Sequence, residues 1–294
     1  MSYFDSPPVV VGYDGTPNAA AALMVAAGEA VRRGRHLVIV HAQESHVEPV
    51  DDPLVEALRL VRPVSSSSRV VLRDRLGAAA GVLCEQAVGA ELLVVGRGEP
   101  GMLAWFAGSV AIDVICQAPC PVIIVGDPGP LGPHGGPVIA GVDREHAEEV
   151  LEAAFREADL RKCELVAVHS WSNLHWLRPD GVESIELDGE QEYLHHAHWL
   201  RDIVHPFQQK YPAVPVTEAP RHGRAATVLT ESSGAASLIV VGSRGRGPVS
   251  GLLLGSVGQK LLRHALCPVL VVRSVPYPRP KPPSVPARAS RGIG

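Results

Sequence analysis

The segment GSRGRGPVSGLLLGS at 242–256 follows the apolar run LIVV at 238–241 and sets Gly242, Gly245 and Gly255 at fixed intervals, with Ser256 directly after. Glycine packs no side chain and loses the most backbone freedom on folding, so several at fixed spacing mark backbone drawn close to another group. A phosphate is the first group to consider. Backbone N–H groups along Gly242, Ser243, Arg244, Gly245, Arg246 and Gly247 can form an anion nest. A helix starting near Ser256 and Val257 would add free N–H groups and a positive dipole end. Arg244 and Arg246 offer charge, although solvated loop arginines read equally well. No lysine follows the glycines as in a P-loop, and the spacing is not the dinucleotide fingerprint. The segment therefore supports holding a phosphate, not transferring one; a plain strand-to-helix turn is the alternative.

A weaker version lies earlier, where Gly96, Arg97 and Gly98 precede Gly108, Ser109 and Val110. One residue separates its first two glycines where the later segment has two, so fewer N–H groups are expected to aim at an anion. Asp14 and Asp143 each close an apolar run and could face a ligand or cap the next helix. His195 and His198, with Trp171, Trp176 and Trp199 nearby, invite a metal site, but no carboxylate or cysteine pattern completes one. A packed or partly exposed helix is the expected account, and no metal ligation by side chains is expected.

These residues need elements to position them, and self-similarity supplies the plan. The run VVVGYD at 9–14 recurs as VIAGVD at 138–143, LVIVH at 37–41 as LVAVH at 165–169, and APCPVIIV at 118–125 as ALCPVLVV at 265–272. This is a tandem duplication. The offset grows from 128 to 147 residues, placing about 19 inserted residues near Trp171 to Arg201. Each half alternates short Val/Ile/Leu runs with amphipathic stretches, the pattern of a parallel sheet covered on both faces. Asn18 to Arg33 reads as a helix with Thr16 as cap, Pro17 in its first turn and Gly34 at its end. Glu148 to Ala158 is its counterpart. The boundaries expected are a first domain at 1–127, a Pro/Gly linker at 128–137, a second domain at 138–274 and a Pro-rich disordered tail at 275–294. The apolar closing strands, Pro121 to Val125 and Pro268 to Val272, are expected to meet and cover each other's edges.

With 294 residues the chain can bury two cores. A formal net charge of −4 argues against general nucleic-acid binding. Five scattered cysteines give no disulfide framework. Without a membrane-length apolar run or a leader-like N-terminus, a cytoplasmic protein with reduced thiols is expected.

The combined pattern resembles the universal stress proteins, most of all the tandem-domain actinobacterial type. The resemblance rests on the Gly242, Gly245, Gly255 and Ser256 spacing, on GVD at 141–143, on VH at 40–41 and 168–169, and on the closing ALCPVLVV. It implies an α/β fold of two doubly wound, Rossmann-like domains, each with a five-stranded parallel sheet binding ATP or another adenine nucleotide at the strand ends. In the second half it implies contacts from Gly141, Asp143 and Ser170 as well as from the glycine segment. In the first half it implies Gly12, Asp14, Ala42, Gly96, Arg97, Gly98, Gly108, Ser109 and Val110. Magnesium would be held by the phosphates. Arg144 and Glu145 depart from the glycine and hydroxyl residue usual after the aspartate, and an acid at 145 is expected to weaken the second site if it faces the ligand. The resemblance further implies a pseudo-dimer within the chain, an additional homodimer, and a nucleotide-dependent regulator that engages a partner protein under stress or dormancy. The alternative is a slow ATPase. The adenylating motifs HIGH and SGGxDS do not occur, so a binding module rather than an enzyme is expected.

Overall fold

The computed structural model of the chain describes residues 6–43, 52–64, 69–98, 110–126, 136–172, 189–243 and 255–273. Strand β1 (Val9–Gly12) runs into helix α1 (Pro17–Arg33), whose ends follow from local chemistry. Thr16 accepts the Ala19 N–H through its side chain, Pro17 needs no N–H partner, and Gly34 closes the helix at φ 61°, a left-handed conformation open to glycine. The half continues through β2 (Leu37–Gln43), α2 (Pro53–Val61), β3 (Val70–Leu76), α3 (Ala79–Gln86), β4 (Leu92–Gly96), α4 (Val110–Gln117) and β5 (Val122–Val125). The second half repeats the order as β6 (Val138–Gly141), α5 (Ala147–Arg161), β7 (Leu165–Trp171), α6 (Gly189–Lys210), β8 (Val216–His222), α7 (Ala225–Ser232), β9 (Leu238–Gly242), α8 (Ser256–His264) and β10 (Val269–Val272).

All ten strands form one sheet in the order β3-β2-β1-β4-β5-β10-β9-β6-β7-β8. Within each half the pairing is parallel; the halves join where β5 and β10 run antiparallel, with Ile123 opposite Leu270. The closing strands thus meet as their apolar patterns require, and neither is left as an open edge. Alternate strand residues feed two cores. One, under α1, α2, α5 and α6, is built on Val9, Val11, Leu92, Val138 and Phe155. The other, under α3, α4, α7 and α8, is built on Val10, Leu93, Ile124, Ile239 and Val269. Both cores run through both halves.

The expected insertion shows as the 22 residues of α6, against nine in its counterpart α2. The linker expected at 128–137 and the tail at 275–294 lie outside the described residues except at Gly136 and Pro137.

Candidate nucleotide sites at the strand ends

The strand order reverses beside β1 in the first half and β6 in the second, opening a crevice at the carboxyl ends of β1/β4 and of β6/β9. A cavity occupies each crevice. The first, of about 240 Å³, has an apolar floor of Val40, Leu83 and Val95, with Gly12, Ala42, Gly96 and Gly98 on its rim. The first turn of α4, at Val110 and Ala111, forms another wall. The second, of about 90 Å³, repeats this plan with Gly141, Val168, Ser170, Leu229 and Gly242, and with Gly255, Val257 and Gly258 from the start of α8. A floor of this kind suits a flat, weakly polar ring, and a helix N-terminus suits an anion. The lining of the first cavity therefore fits a flat ring joined to an anion, and the second repeats the pattern on a smaller scale.

The sequence-expected residues divide once placed. Gly12, Asp14, Ala42, Gly96, Arg97, Gly98 and Val110 line the first cavity; Gly141, Asp143, Ser170, Gly242, Gly255 and Val257 line the second. Arg244, Gly245, Arg246, Gly247, Gly108 and Ser109 lie outside the described residues. Ser243 is buried away from the second cavity, its N–H bonded to Val272 O at 2.8 Å. Ser256 is exposed as the first residue of α8, and the cap position falls to Gly255, which brings no side-chain cap. Arg97 borders the first cavity, and its Nη1 donates to Leu262 O at 3.2 Å and Arg263 O at 2.6 Å, at the far end of α8. Two carbonyls left open by a helix terminus are a strong local attraction for a guanidinium.

Each aspartate ties down the turn that precedes a helix, with the cap positions at Thr16 and His146. Asp14 Oδ1 accepts the N–H and hydroxyl of Thr16 at 3.0 and 2.7 Å, and Asp143 Oδ1 accepts the N–H groups of Glu145 and His146 at 3.0 and 2.7 Å. Each keeps its other oxygen for a ligand while borrowing rigidity from the turn. Glu145 is exposed and not part of the second cavity's wall, so the acid does not face it. Arg144 turns away as well, lying 5.0 Å over the Trp199 ring and 3.2 Å from His195 Nε2.

Sequence reasoning missed Asn18 and Tyr13. Asn18 is buried beside the first cavity and its Nδ2 donates to Gly98 O at 3.0 Å, tying the glycine turn to α1. A polar side chain in an otherwise Ala-rich helix was the signal available. Tyr13 is buried in the same wall; burial, then the charge and hydrogen bond of Glu56, push its hydroxyl up to about 12, so it stays a neutral donor. His169 of β7 and His196 of α6 form a hydrogen-bonded chain. His169 Nδ1 meets Val142 O at 2.9 Å, and its Nε2 meets His196 Nδ1 at 3.0 Å, with Trp171 stacked on His196 at 4.2 Å. Among the described residues no group of three or more metal-ligating side chains converges, and no helix is long and apolar enough to cross a membrane.

Comparison with known proteins places this architecture. The universal stress protein family model matches twice, over residues 7–126 and 136–273. Two universal stress proteins of Mycobacterium tuberculosis, Rv2005c and Rv2623, are each 32% identical, over 289 and 295 residues, covering 90% of this chain and 96% of their own. A solved universal stress protein of Archaeoglobus fulgidus superposes with a TM-score of 0.66 at 16% identity, covering 92% of this chain and 97% of that one. That last likeness shows the fold. The two matches of the family model, one on each half of the ten-stranded sheet, and the mycobacterial relatives show that this chain belongs to the universal stress protein family.

Proposed function

We propose that the chain is an adenine-nucleotide-binding regulator, with ATP as the principal ligand and one site at the strand ends of each half. The observation that carries this reading is the repeated cavity: in both halves a glycine at the end of the first strand, an apolar floor and the first turn of a short helix surround one space. The family resemblance read from the glycine spacing supports the choice of adenine. Magnesium would ride on the phosphates, since no described cluster of side chains would bind it alone. Each aspartate at the cavities spends one carboxylate oxygen on the turn after its strand, and none of the described contacts aims a base at an attacking water; we take this to favour a binding role over the slow ATPase reading. A regulator acts by presenting a different surface when filled, and the partner that reads it would be a protein.

The test is to denature freshly purified protein and identify what is released. An adenine nucleotide at one to two per chain is the expected result; no nucleotide released, together with no calorimetric binding of added ATP, would remove the reading. Phosphate release over many turnovers, above a Gly255→Val control, would move the assignment to an ATPase.

A further inference from the structure

Arg97 stands between the two cavities. Its neighbours Gly96 and Gly98 edge the first, and Arg97 itself is part of that wall. Its guanidinium crosses the junction of the halves to the last-turn carbonyls of α8, the helix whose first turn walls the second cavity. Gly126 lies beside the crossing: a Cβ there would be in ordinary contact, 3.6 Å from Arg97 Nη1 and 3.4 Å from Ala265 O, and a longer side chain would reach into it. The opposite contact also exists, since Arg273 Nη1 donates to Ala118 O at 3.0 Å, just past the end of α4. Each helix that faces a cavity is therefore held at its far end by an arginine from the other half. The two arginines are not equivalent by the repeat, because Ser243 occupies the position of Arg97 and Gly126 that of Arg273. Only Arg97 also borders a cavity, so only it can be contested by what that cavity holds.

We propose that Arg97 is a positioning residue that couples the two cavities, so that a nucleotide in the first weakens binding in the second. The proposal rests on the nucleotide reading above. A guanidinium presents its donors in one rigid fork, and phosphates in the first cavity compete for it with the neutral carbonyls of α8, since a phosphate adds an opposite charge and can accept two parallel N–H bonds at once. Drawn off, it leaves the last turn of α8 open. That helix has only nine residues, so loss of one end is felt at the other, where the second nucleotide's phosphates would sit. By linkage the effect is mutual: a filled second cavity, whose anion favours an ordered α8, holds Arg97 away from the first.

Calorimetric titration with ADP on the full chain tests it. Ala42→Phe fills the first cavity and Ser170→Phe the second, and the two single-cavity isotherms add to give the curve expected of independent sites. The intact protein should bind its last equivalent about fivefold or more weakly than that curve, within the usual range of site coupling. Measured in the same way, Arg97→Gln should return to independence, and Arg97→Lys should keep part of the coupling. Gly126→Leu, which displaces the guanidinium and leaves its charge, should behave like Arg97→Gln. Should Ala42→Phe not fold, Ala79→Phe fills the same cavity from α3. Superposition of the intact isotherm on the independent curve, or coupling that survives in Arg97→Gln, overturns the proposal while leaving the nucleotide reading intact. Absence of binding in every protein removes both.

Discussion

At the level of single residues, the strand-end glycines answer two different demands. A Cβ on Gly96 would meet the Asn18 carbonyl carbon and oxygen at 2.8 Å, so β4 ends hard against the backbone of α1. A Cβ on Gly12 would meet only the Leu83 side chain, Cδ1 at 2.9 Å and Cδ2 at 3.1 Å, a flexible end that can turn. Gly98 has nothing near it but sits at φ 79°. Gly96→Ala should therefore lower the unfolding free energy by about 1–3 kcal/mol, the usual cost of overpacking, and Gly12→Ala by clearly less. Paired denaturant titrations check this, and equal losses would show that the α1 backbone can give. The spacing of these glycines was legible, but their cause was only partly so. A glycine needed against a neighbouring helix and one needed against a phosphate look alike in a chain. Asn18 was overlooked and the contact of Arg97 with α8 was not legible for a related reason, since the partner of each lies far off in sequence, 80 and about 165 residues away.

Whole elements were most legible where local chemistry sets their limits. Helix α1 begins and ends where Thr16, Pro17 and Gly34 dictate. Helix α8 was readable from the glycines before it, and it carries the second prediction. Gly255 has φ −65° and ψ 164°, a conformation open to any residue, so Gly255→Val should fold normally while its side chain fills the space before the first turn. Nucleotide affinity at the second site should fall at least tenfold by calorimetry, and unchanged affinity would detach α8 from the ligand. Helix α6 was the least legible, because its packing depends on a fold-specific stack of His169, His196, Trp171 and Trp199. Burial, then the positive fields of His169, Arg144 and His195 outweighing Glu192, hold His196 down to about 4. A histidine kept neutral when folded binds fewer protons than it does unfolded, so its effect is sign-definite. Stability should decline as pH falls from about 6.5 toward about 4. His196→Phe should flatten that part of the profile, and a profile unaltered by the substitution would show that α6 is held by other contacts.

At the scale of the whole molecule, the two halves joined at β5:β10 also share a buried charge cluster on the α1/α5 side. Glu29 and Arg33 of α1 recur, 128 residues on, as Glu157 and Arg161 of α5. Each arginine bridges within its helix and across the junction: Arg33 Nη2 to Glu29 Oε2 at 3.0 Å and to Glu157 Oε1 at 2.5 Å, and Arg161 to Glu157 and to Glu29 Oε1 at 2.5 Å. The repeat offset was readable, yet a Glu and an Arg four apart on a helix normally mark a solvated pair. Only the antiparallel β5:β10 junction turns two such pairs into one cluster, with side chains exposed by 1 to 9%. Burial would raise the Glu157 carboxyl, but Arg33 and Arg161 outweigh it and hold it below the usual glutamate range. Its contribution is therefore fully present above the unfolded glutamate pKa, about 4.3, and is lost as pH falls below that. At neutral pH, Glu157→Ala should cost about 3–5 kcal/mol, because two buried guanidinium groups each lose a carboxylate partner in a water-poor junction. Replacing all four residues with well-packed apolar ones of similar volume should cost far less, since the desolvation penalty disappears with the charges. Denaturant unfolding of both variants at pH 7 separates the cases. If Glu157→Ala loses less than about 1 kcal/mol, the typical value of a surface pair, water reaches the cluster and the β5:β10 pairing alone joins the halves.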